Sequence, residues 1–533
     1  MAGPNNGQGK FPFAGLIILE MANNHQGRLA HGLRIIEEYM PLVRKAGVRA
    51  AMKIQLRNIN SFIHPEYLNS TENKHISRFL STKLSADDFG KLIEHARSRG
   101  FTTMATPYDE DSVDLISHLG IEVIKIASAS SSDWPLLEKI VRTGKPIICS
   151  TGALTLDKVD NIVSYLIHRG AHFAIMHCPS IYPTPNHKLH LDRIRIFRER
   201  YPDVVVGFST HEPPDNVDAV KIAYAMGARV FEKHIGVETE DIKLNSYSSR
   251  PDQFEKWLAS YNEAISMSGT DYDFTKRTDP EETESVRLQM RGVYSKSNIK
   301  TGAPIARSDV FFAMPLQSNQ MASGQWRLDI VADRDYKAGE ALPVSLLPGK
   351  KSKREIIYQT IHNVKGMLNM ARVPINYDSG IVFYHHQGLE NFSQTGAFVI
   401  ECFRHTYAKN VIVVLPGQSH PVFYHKRKDK TYQLLWGVLE VQIEGRERIL
   451  EAGDTLFITR GIWHGFYSPG GAIFEEISNA GQDDDMCYAD QMYNLMDHKS
   501  FVTRFINWGR HQVGGEDLGD KLADVPKVEI RHL

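Results

Sequence analysis

Val204-Val-Val-Gly-Phe-Ser-Thr-His211 and, further on, Arg229-Val-Phe-Glu-Lys-His234 each run largely apolar and end on a histidine. Near-continuous apolar runs of this length read as strands buried on both faces, the signature of parallel pairing. Working outward, six similar runs precede them: Gly15-Leu-Ile-Ile-Leu-Glu20, Ala50-Ala-Met-Lys-Ile-Gln55, Phe101-Thr-Thr-Met-Ala-Thr106, Glu122-Val-Ile-Lys-Ile-Ala127, Pro146-Ile-Ile-Cys-Ser150 and Phe173-Ala-Ile-Met-His177. Helical patterns such as Leu33-Arg-Ile-Ile-Glu-Glu-Tyr-Met40 lie between them. Eight strand–helix units in about 260 residues predict an α/β chain built on a (β/α)8 barrel. A doubly wound open sheet usually needs fewer units and a Gly-rich first turn, which is absent.

Polar residues are unevenly placed on these strands. At or just past their C-terminal ends stand Glu20, Lys53 with Gln55, Thr106, Lys125 with Ser128, Ser150, His177 with Ser180 and Tyr182, Ser209 with His211, and His234. Catalytic groups of such barrels converge on that rim. Cations, hydroxyls and two imidazoles suit a small anionic phosphate ester with a divalent metal. Lys53 and Lys125 read as ligand-binding cations ahead of snorkelling side chains, because lysine is rarely buried unpaired. Ser128, Ser150 and Ser209 read equally as helix caps and as phosphate ligands. His177 reads equally as a core histidine and as a participant. His211 and His234 end consecutive strands and read as a metal pair, though two imidazoles are an incomplete ligand set.

Composition sets the frame. The 533 residues exceed one ordinary domain, and 42% hydrophobic with 23% charged residues is a soluble globular composition. A net charge of -1 gives no field toward nucleic acid or an acidic membrane. The four cysteines are scattered without a CxxC pair, so a reducing compartment is expected. The opening Met1-Ala-Gly-Pro-Asn-Asn-Gly7 has no basic-then-apolar leader pattern, and no run approaches a membrane-spanning length, so a cytoplasmic setting is expected.

The same residues resemble the sialic acid synthase family (N-acetylneuraminate, legionaminate and related nonulosonate synthases). Glu20-Met-Ala-Asn-Asn24-His25-Gln-Gly27 is similar to that family's E-I-G-x-N-H-x-G. Lys53-Ile-Gln55, Thr106-Pro107, Lys125-Ile-Ala-Ser128, Ser150-Thr-Gly152, His177-Cys-Pro-Ser-Ile-Tyr182-Pro-Thr-Pro185, Gly207-Phe-Ser-Thr-His211 and Glu232-Lys-His234 follow in register. The resemblance implies a phosphoenolpyruvate-dependent synthase that condenses this donor with a sugar aldehyde. It assigns Mn²⁺ or another divalent ion to His211 and His234. It assigns the donor's phosphate and carboxylate to Lys53, Thr106, Lys125, Ser128, Ser150, Ser180 and Ser209, with Ser180 standing where asparagine is usual. Glu20, Gln55 and Tyr182 are left facing the acceptor or metal-bound water. For Glu20 the chemical reading is acid–base or hydroxyl-orienting work, and the bland one is a salt bridge with Lys53.

Beyond the barrel, Asn298-Ile-Lys-Thr-Gly302-Ala-Pro-Ile305 and Asp335-Tyr-Lys-Ala-Gly339-Glu-Ala-Leu342 resemble the antifreeze-like (SAF) domain of the same family, which implies a domain-swapped homodimer. A basic linker, Gly349-Lys-Lys-Ser-Lys-Arg354, leads into an all-β pattern. There Gly437, Gly453-Asp454, Trp463-His464 and Gly471-Ala-Ile-Phe-Glu-Glu-Ile-Ser478 resemble sugar isomerase cupins. The expected division is a synthase barrel over 1–280, a SAF domain over 281–350 and a cupin with a C-terminal tail over 351–533. In the cupin's usual His, His, Glu, His places stand Phe423, His425, Lys430 and His464, so a degenerate metal site with a sugar-binding, regulatory or architectural role is expected, the alternative being a remaining isomerase or metal site that uses Glu475 or Asp429. Against the synthase family, Ser130 stands where a glutamate is usual, Asn245 where an aspartate is, and Met314 of the SAF domain where an arginine is, all on the acceptor side. These departures imply a non-standard acceptor. They also keep two alternatives open: a non-catalytic sugar-binding or regulatory protein, and a bifunctional synthase–isomerase.

Overall fold

Eight parallel strands close on themselves in chain order: β1 Leu16–Ala22, β2 Arg49–Leu56, β3 Thr102–Pro107, β4 Val123–Ile126, β5 Ile147–Ser150, β6 Phe173–His177, β7 Val205–Thr210 and β8 Val230–His234. They come from a computed structural model that describes residues 10–68, 73–269, 278–347, 349, 351–376, 379–479, 485–497 and 500–506. The chain's first seven residues, Lys350 of the basic linker and the C-terminal tail from 507 lie outside the described residues. The (β/α)8 expectation is borne out, with β1 paired to both β2 and β8.

Side chains alternate along each strand between the barrel interior and the surrounding helices. The interior is plugged by a core that includes Leu16, Ile18, Ala51, Met104, Val123, Ile148, Ala174, Met176 and Val230. The outward-facing residues join the larger strand–helix core; Phe231, for example, meets Trp257 and Tyr261 of the helix Pro251–Ser268. Most inward rows turn polar toward their C-terminal ends, as Leu16, Ile18 and Glu20 do on β1 and Val230, Glu232 and His234 on β8, whereas the row of β6, Ala174 and Met176, stays apolar.

The chain divides into two compact units, Met1–Thr275 and Lys276–Leu533. In the second unit the helix Pro280–Arg287 precedes a small antiparallel pair, β9 Gly292–Ser295 and β10 Val310–Ala313, over a core that includes Val293, Ile305, Met321, Ile330 and Leu342. The helix Lys353–Met370 opens on a capping box, in which Ser352 caps the Glu355 amide and Glu355 reaches back to the Ser352 amide.

A curled antiparallel sheet follows: β11 Gly380–Tyr384, β12 Ala397–Arg404, β13 Tyr407–Val414, β14 Gln418–His425, β15 Lys430–Ile443, β16 Arg446–Glu451, β17 Thr455–Ile458, β18 His464–Ser468, β19 Ala472–Asn479, β20 Met486–Tyr488 and β21 Val502–Phe505. The path β20-β14-β18-β15-β19-β13-β12-β11-β21 is cupin-like, as the sequence led us to expect. Gly437 interrupts β15 with φ +83°, and a Cβ there would lie 2.1 Å from the Gly471 carbonyl oxygen. Gly437→Ala is expected to destabilise this sheet by about 2 kcal/mol or more, read as a lower denaturation midpoint.

Candidate active site

β8 decides the electrostatics of the mouth. Its alternation points Glu232 and His234 inward, while Lys233 turns outward to a fully buried ion pair with Glu212 at 2.9 Å. Glu232 Oε1 takes Lys53 Nζ at 3.0 Å and the Ser209 hydroxyl at 3.2 Å, and its Oε2 takes Lys125 Nζ at 2.8 Å. Glu20 pairs with Lys53 from β1 and accepts from Gln55 Nε2 at 3.4 Å. Two ammoniums and two carboxylates are thus buried in one network. Burial opposes the Glu232 charge, yet Lys125 and Lys53 hold its carboxyl below the usual range.

Around this network lie hydroxyls still short of partners. Thr106 Oγ1 at the end of β3 and Ser150 Oγ at the end of β5 are buried with no hydrogen-bond partner among the described residues. Ser128 Oγ accepts from the Gly152 amide at 3.0 Å. A Cβ on Gly152 would lie 2.2 Å from Ser180 Oγ and 2.6 Å from Ser128 Oγ, so glycine is needed where backbone and two hydroxyls converge. Donors gathered and left open in this way fit an anion's oxygens.

His211 and His234 face each other with ring centroids 5.2 Å apart. His211 Nδ1 bonds the Pro179 carbonyl at 2.8 Å, which leaves Nε2 for another partner, and His234 Nδ1 is buried without one. Burial pushes both imidazoles down to about 3, so both are neutral, the form that ligates metal. The pair fits two positions of a divalent ion. Among the described residues no third His, Cys, Asp or Glu completes a protein-only set, so substrate or water oxygens would supply the remainder. Tyr182 lies over His211 at 4.3 Å, half exposed, with Tyr247 at 5.1 Å from both Tyr182 and His234.

Most of the expected residues therefore gather at one mouth. His177 does not: its Nε2 is bonded to the Leu189 carbonyl at 2.7 Å and its ring is stacked on Phe208, so it is a core histidine. The salt-bridge reading of Glu20 holds as well, because Glu20 does pair with Lys53. Asn245 ends in a local turn, accepting from the Tyr247 and Ser248 amides at 3.1 and 2.9 Å, and so places Tyr247 beside the imidazoles.

Sequence reasoning missed Glu232 as a site residue, although the two-residue alternation with His234 was the signal that would have found it. It also missed Arg57, which donates to Gln55 Oε1 at 2.8 Å and lies between Tyr108 and Phe79, 3.7 and 4.0 Å from their rings. In the curled sheet the proposed substitute ligands point elsewhere. Glu475 pairs with Lys409 at 2.6 Å and Asp429 with Arg460 at 3.2 Å. The neighbouring Glu476 is the one facing inward.

A profile of the NeuB family matches residues 42–272, and a cupin-domain profile matches residues 410–476. A solved structure of a protein assigned as spore coat polysaccharide biosynthesis protein E, from Chromobacterium violaceum, is 37% identical. It aligns with 62% of this chain and 98% of its own length at a TM-score of 0.60. N,N'-diacetyllegionaminic acid synthase of Campylobacter jejuni is 26% identical over 61% of this chain and 98% of its own length. An uncharacterised protein of Methanocaldococcus jannaschii is 29% identical over 56% of this chain and 84% of its own length.

Proposed function

The chain belongs to the NeuB family, and from that premise we propose that its barrel condenses phosphoenolpyruvate with an aldose, releasing phosphate and forming a sialic-acid-type 2-keto-3-deoxy sugar acid. The observation that carries this reading is the pairing of two buried ammoniums, Lys53 and Lys125, with the unpartnered hydroxyls of Thr106 and Ser150 at the same mouth.

In this reading Lys53 and Lys125 hold the donor's anionic ends. Thr106, Ser128, Ser150, Ser180 and Ser209, with the Gly152 amide, take its remaining oxygens. That grip fixes the enol carbon C3 toward the acceptor carbonyl. The new C–C bond opens the acceptor's C=O to an alkoxide, which takes up a proton, and leaves positive charge at C2, which the buried carboxylates Glu20 and Glu232 stabilise from fixed positions. Water then adds at C2, with Glu20 Oε2 taking its proton, and the tetrahedral product loses phosphate by C–O cleavage. A divalent ion, with manganese preferred, held by His211 and His234 supplies Lewis-acid polarisation of the acceptor carbonyl when bound. Gln55 and Tyr182 orient the acceptor.

Ser130 and Asn245 are neutral where relatives carry carboxylates, and Met314 stands where they carry arginine. In this reading those departures point to an acceptor other than N-acetylmannosamine. The same proposal includes a barrel over 1–280, a SAF domain over 281–350 and a cupin over 351–533, together with a domain-swapped homodimer and a cytoplasmic setting. No described helix is long and apolar enough to cross a membrane.

Purified protein with Mn²⁺ and phosphoenolpyruvate is expected to release phosphate with at least one aldose of a panel, and to stop when a chelator is added. No release with any aldose would refute the synthase reading. A clear preference for N-acetylmannosamine would refute only the altered acceptor.

A further inference from the structure

The curled sheet encloses a second polar cluster that the synthase chemistry does not use. Lys430 and Tyr432 rise from β15, His464 from β18, His425 from β14, and Glu476 and Ser478 from β19, with Asp485 just before β20. Each is at most 6% exposed. Buried polar groups are normally satisfied, yet several here are not. Among the described residues, Tyr432 OH, His464 Nε2, Ser478 Oγ and Asp485 Oδ2 have no hydrogen-bond partner. His425 Nδ1 stands 3.3 Å from Asp485 Oδ2 without making a hydrogen bond.

Lys430 is the centre of the imbalance. Its ammonium has three donors, but its ion-pair contact is a long one, 3.4 Å to Glu476 Oε2. Glu476 is held more closely by Lys428, at 2.5 Å. The remaining neighbours of Lys430 Nζ include aromatic faces, Phe423 at 4.4 Å and Tyr432 at 4.9 Å. A desolvated charge with so little compensation is costly. Burial pushes Lys430 down to about 7 against the pull of Glu476.

The unpartnered atoms define what would complete the cluster. Among the described residues no three His, Cys, Asp or Glu side chains gather to hold a metal ion, and Lys430 stands among the imidazoles. His464 Nδ1 is bonded to the Ile462 carbonyl at 2.8 Å, so its Nε2 offers a lone pair to a hydroxyl. Tyr432 and Ser478 offer hydroxyls that both donate and accept. Phe423, 4.3 Å from the His464 ring, offers an apolar face for C–H groups. An anion for Lys430, hydroxyls for the rest and a flat apolar wall together describe one chemical class.

We propose that the interior of the curled sheet is a binding site for a small polyhydroxy carboxylate, its carboxylate on Lys430 and its hydroxyls on His464, Tyr432 and Ser478. This site is separate from the barrel mouth and does not depend on what the barrel catalyses.

Calorimetric titration of the full-length protein tests it with four probes: gluconate, N-acetylneuraminate, sorbitol and Mn²⁺ alone. Sorbitol differs from gluconate in carrying CH₂OH in place of the carboxylate. At least one of the two acids is expected to bind, and sorbitol more weakly than gluconate. Lys430→Met is expected to weaken that acid about thirtyfold by removing a charge-assisted bond, and Tyr432→Phe about fivefold. Tyr432→Phe removes an atom that has no partner in the ligand-free protein, so the variant keeps its thermal midpoint and its loss of affinity cannot be ascribed to misfolding.

The barrel site is intact in both variants. Acid binding that survives Lys430→Met unchanged reports the barrel and overturns the assignment. So does the absence of binding by both acids, equal binding of sorbitol, or Mn²⁺ as the one probe that binds. Phosphate release by the barrel is read separately, so either proposal can fail without the other.

Discussion

Glu232→Ala is expected to lose about 3–5 kcal/mol of barrel stability in the absence of substrate, the cost of leaving buried charges without their partner. Glu232 is the shared counter-ion of Lys53 and Lys125 and also accepts from Ser209. Its removal leaves Lys125 without that partner, while Lys53 keeps Glu20. Thermal or urea unfolding followed by circular dichroism measures the loss. Phosphoenolpyruvate is expected to recover part of it, because its phosphate and carboxylate bring anionic charge to the same ammoniums. The pH dependence has a definite sign. Glu232 is depressed in the folded state, so its stabilisation is present above the unfolded carboxyl's pKa and is lost as pH falls through the folded value. The gap between wild type and variant therefore narrows in strong acid. An unchanged midpoint at neutral pH would show that Glu232 does not balance the lysines.

His234→Ala is expected to lower kcat/KM for phosphate release about 10³-fold, since a Lewis-acid contribution of several kcal/mol depends on this pair. Activity is not the sole readout. Manganese retained after dialysis is expected to drop with the variant, because a single imidazole, His211, is left at the pair. Stability is expected to change little. His234 Nδ1 has no hydrogen-bond partner to lose, and burial already keeps the ring neutral. Full manganese retention by His234→Ala would remove the imidazole pair as the metal's holder.

The candidate site was legible to different depths in its different residues. Lys53, Lys125, Thr106, Ser150, His211 and His234 were visible because parallel strands run apolar until they reach the mouth, so a polar residue at a strand end stands out against its own run. Glu232 was harder to see. It lies within a strand, between an apolar residue and a lysine, and its importance depends on what stands across the barrel. Arg57 follows β2, and nothing in the local sequence says that Tyr108 and Phe79 will flank it. The sequence leaves His177 open between core and site, because its position at a strand end matches the pattern; its hydrogen bond to Leu189 places it in the core. In the curled sheet the sequence marked Glu475 and Asp429, whereas pleating turned Glu476 inward beside Lys430. A shift of one residue along a strand exchanges its two faces.

By itself, the amino-acid order determined the closed parallel barrel, the cupin-like sheet and the rim on which chemistry would be sought. The barrel and its rim follow from periodicity, which is local and is written in each strand and helix separately, whereas the cupin-like sheet follows from the resemblance of its motifs over an all-β pattern. Only the tertiary structure decided which charges neutralise one another, which hydroxyls stay unpartnered at the mouth, and that a lysine lies under-compensated inside the second unit. Such properties are sums over side chains from strands far apart in the chain. Their sign turns on distances of a few ångströms, set by closure of the sheets and not by any single run of residues.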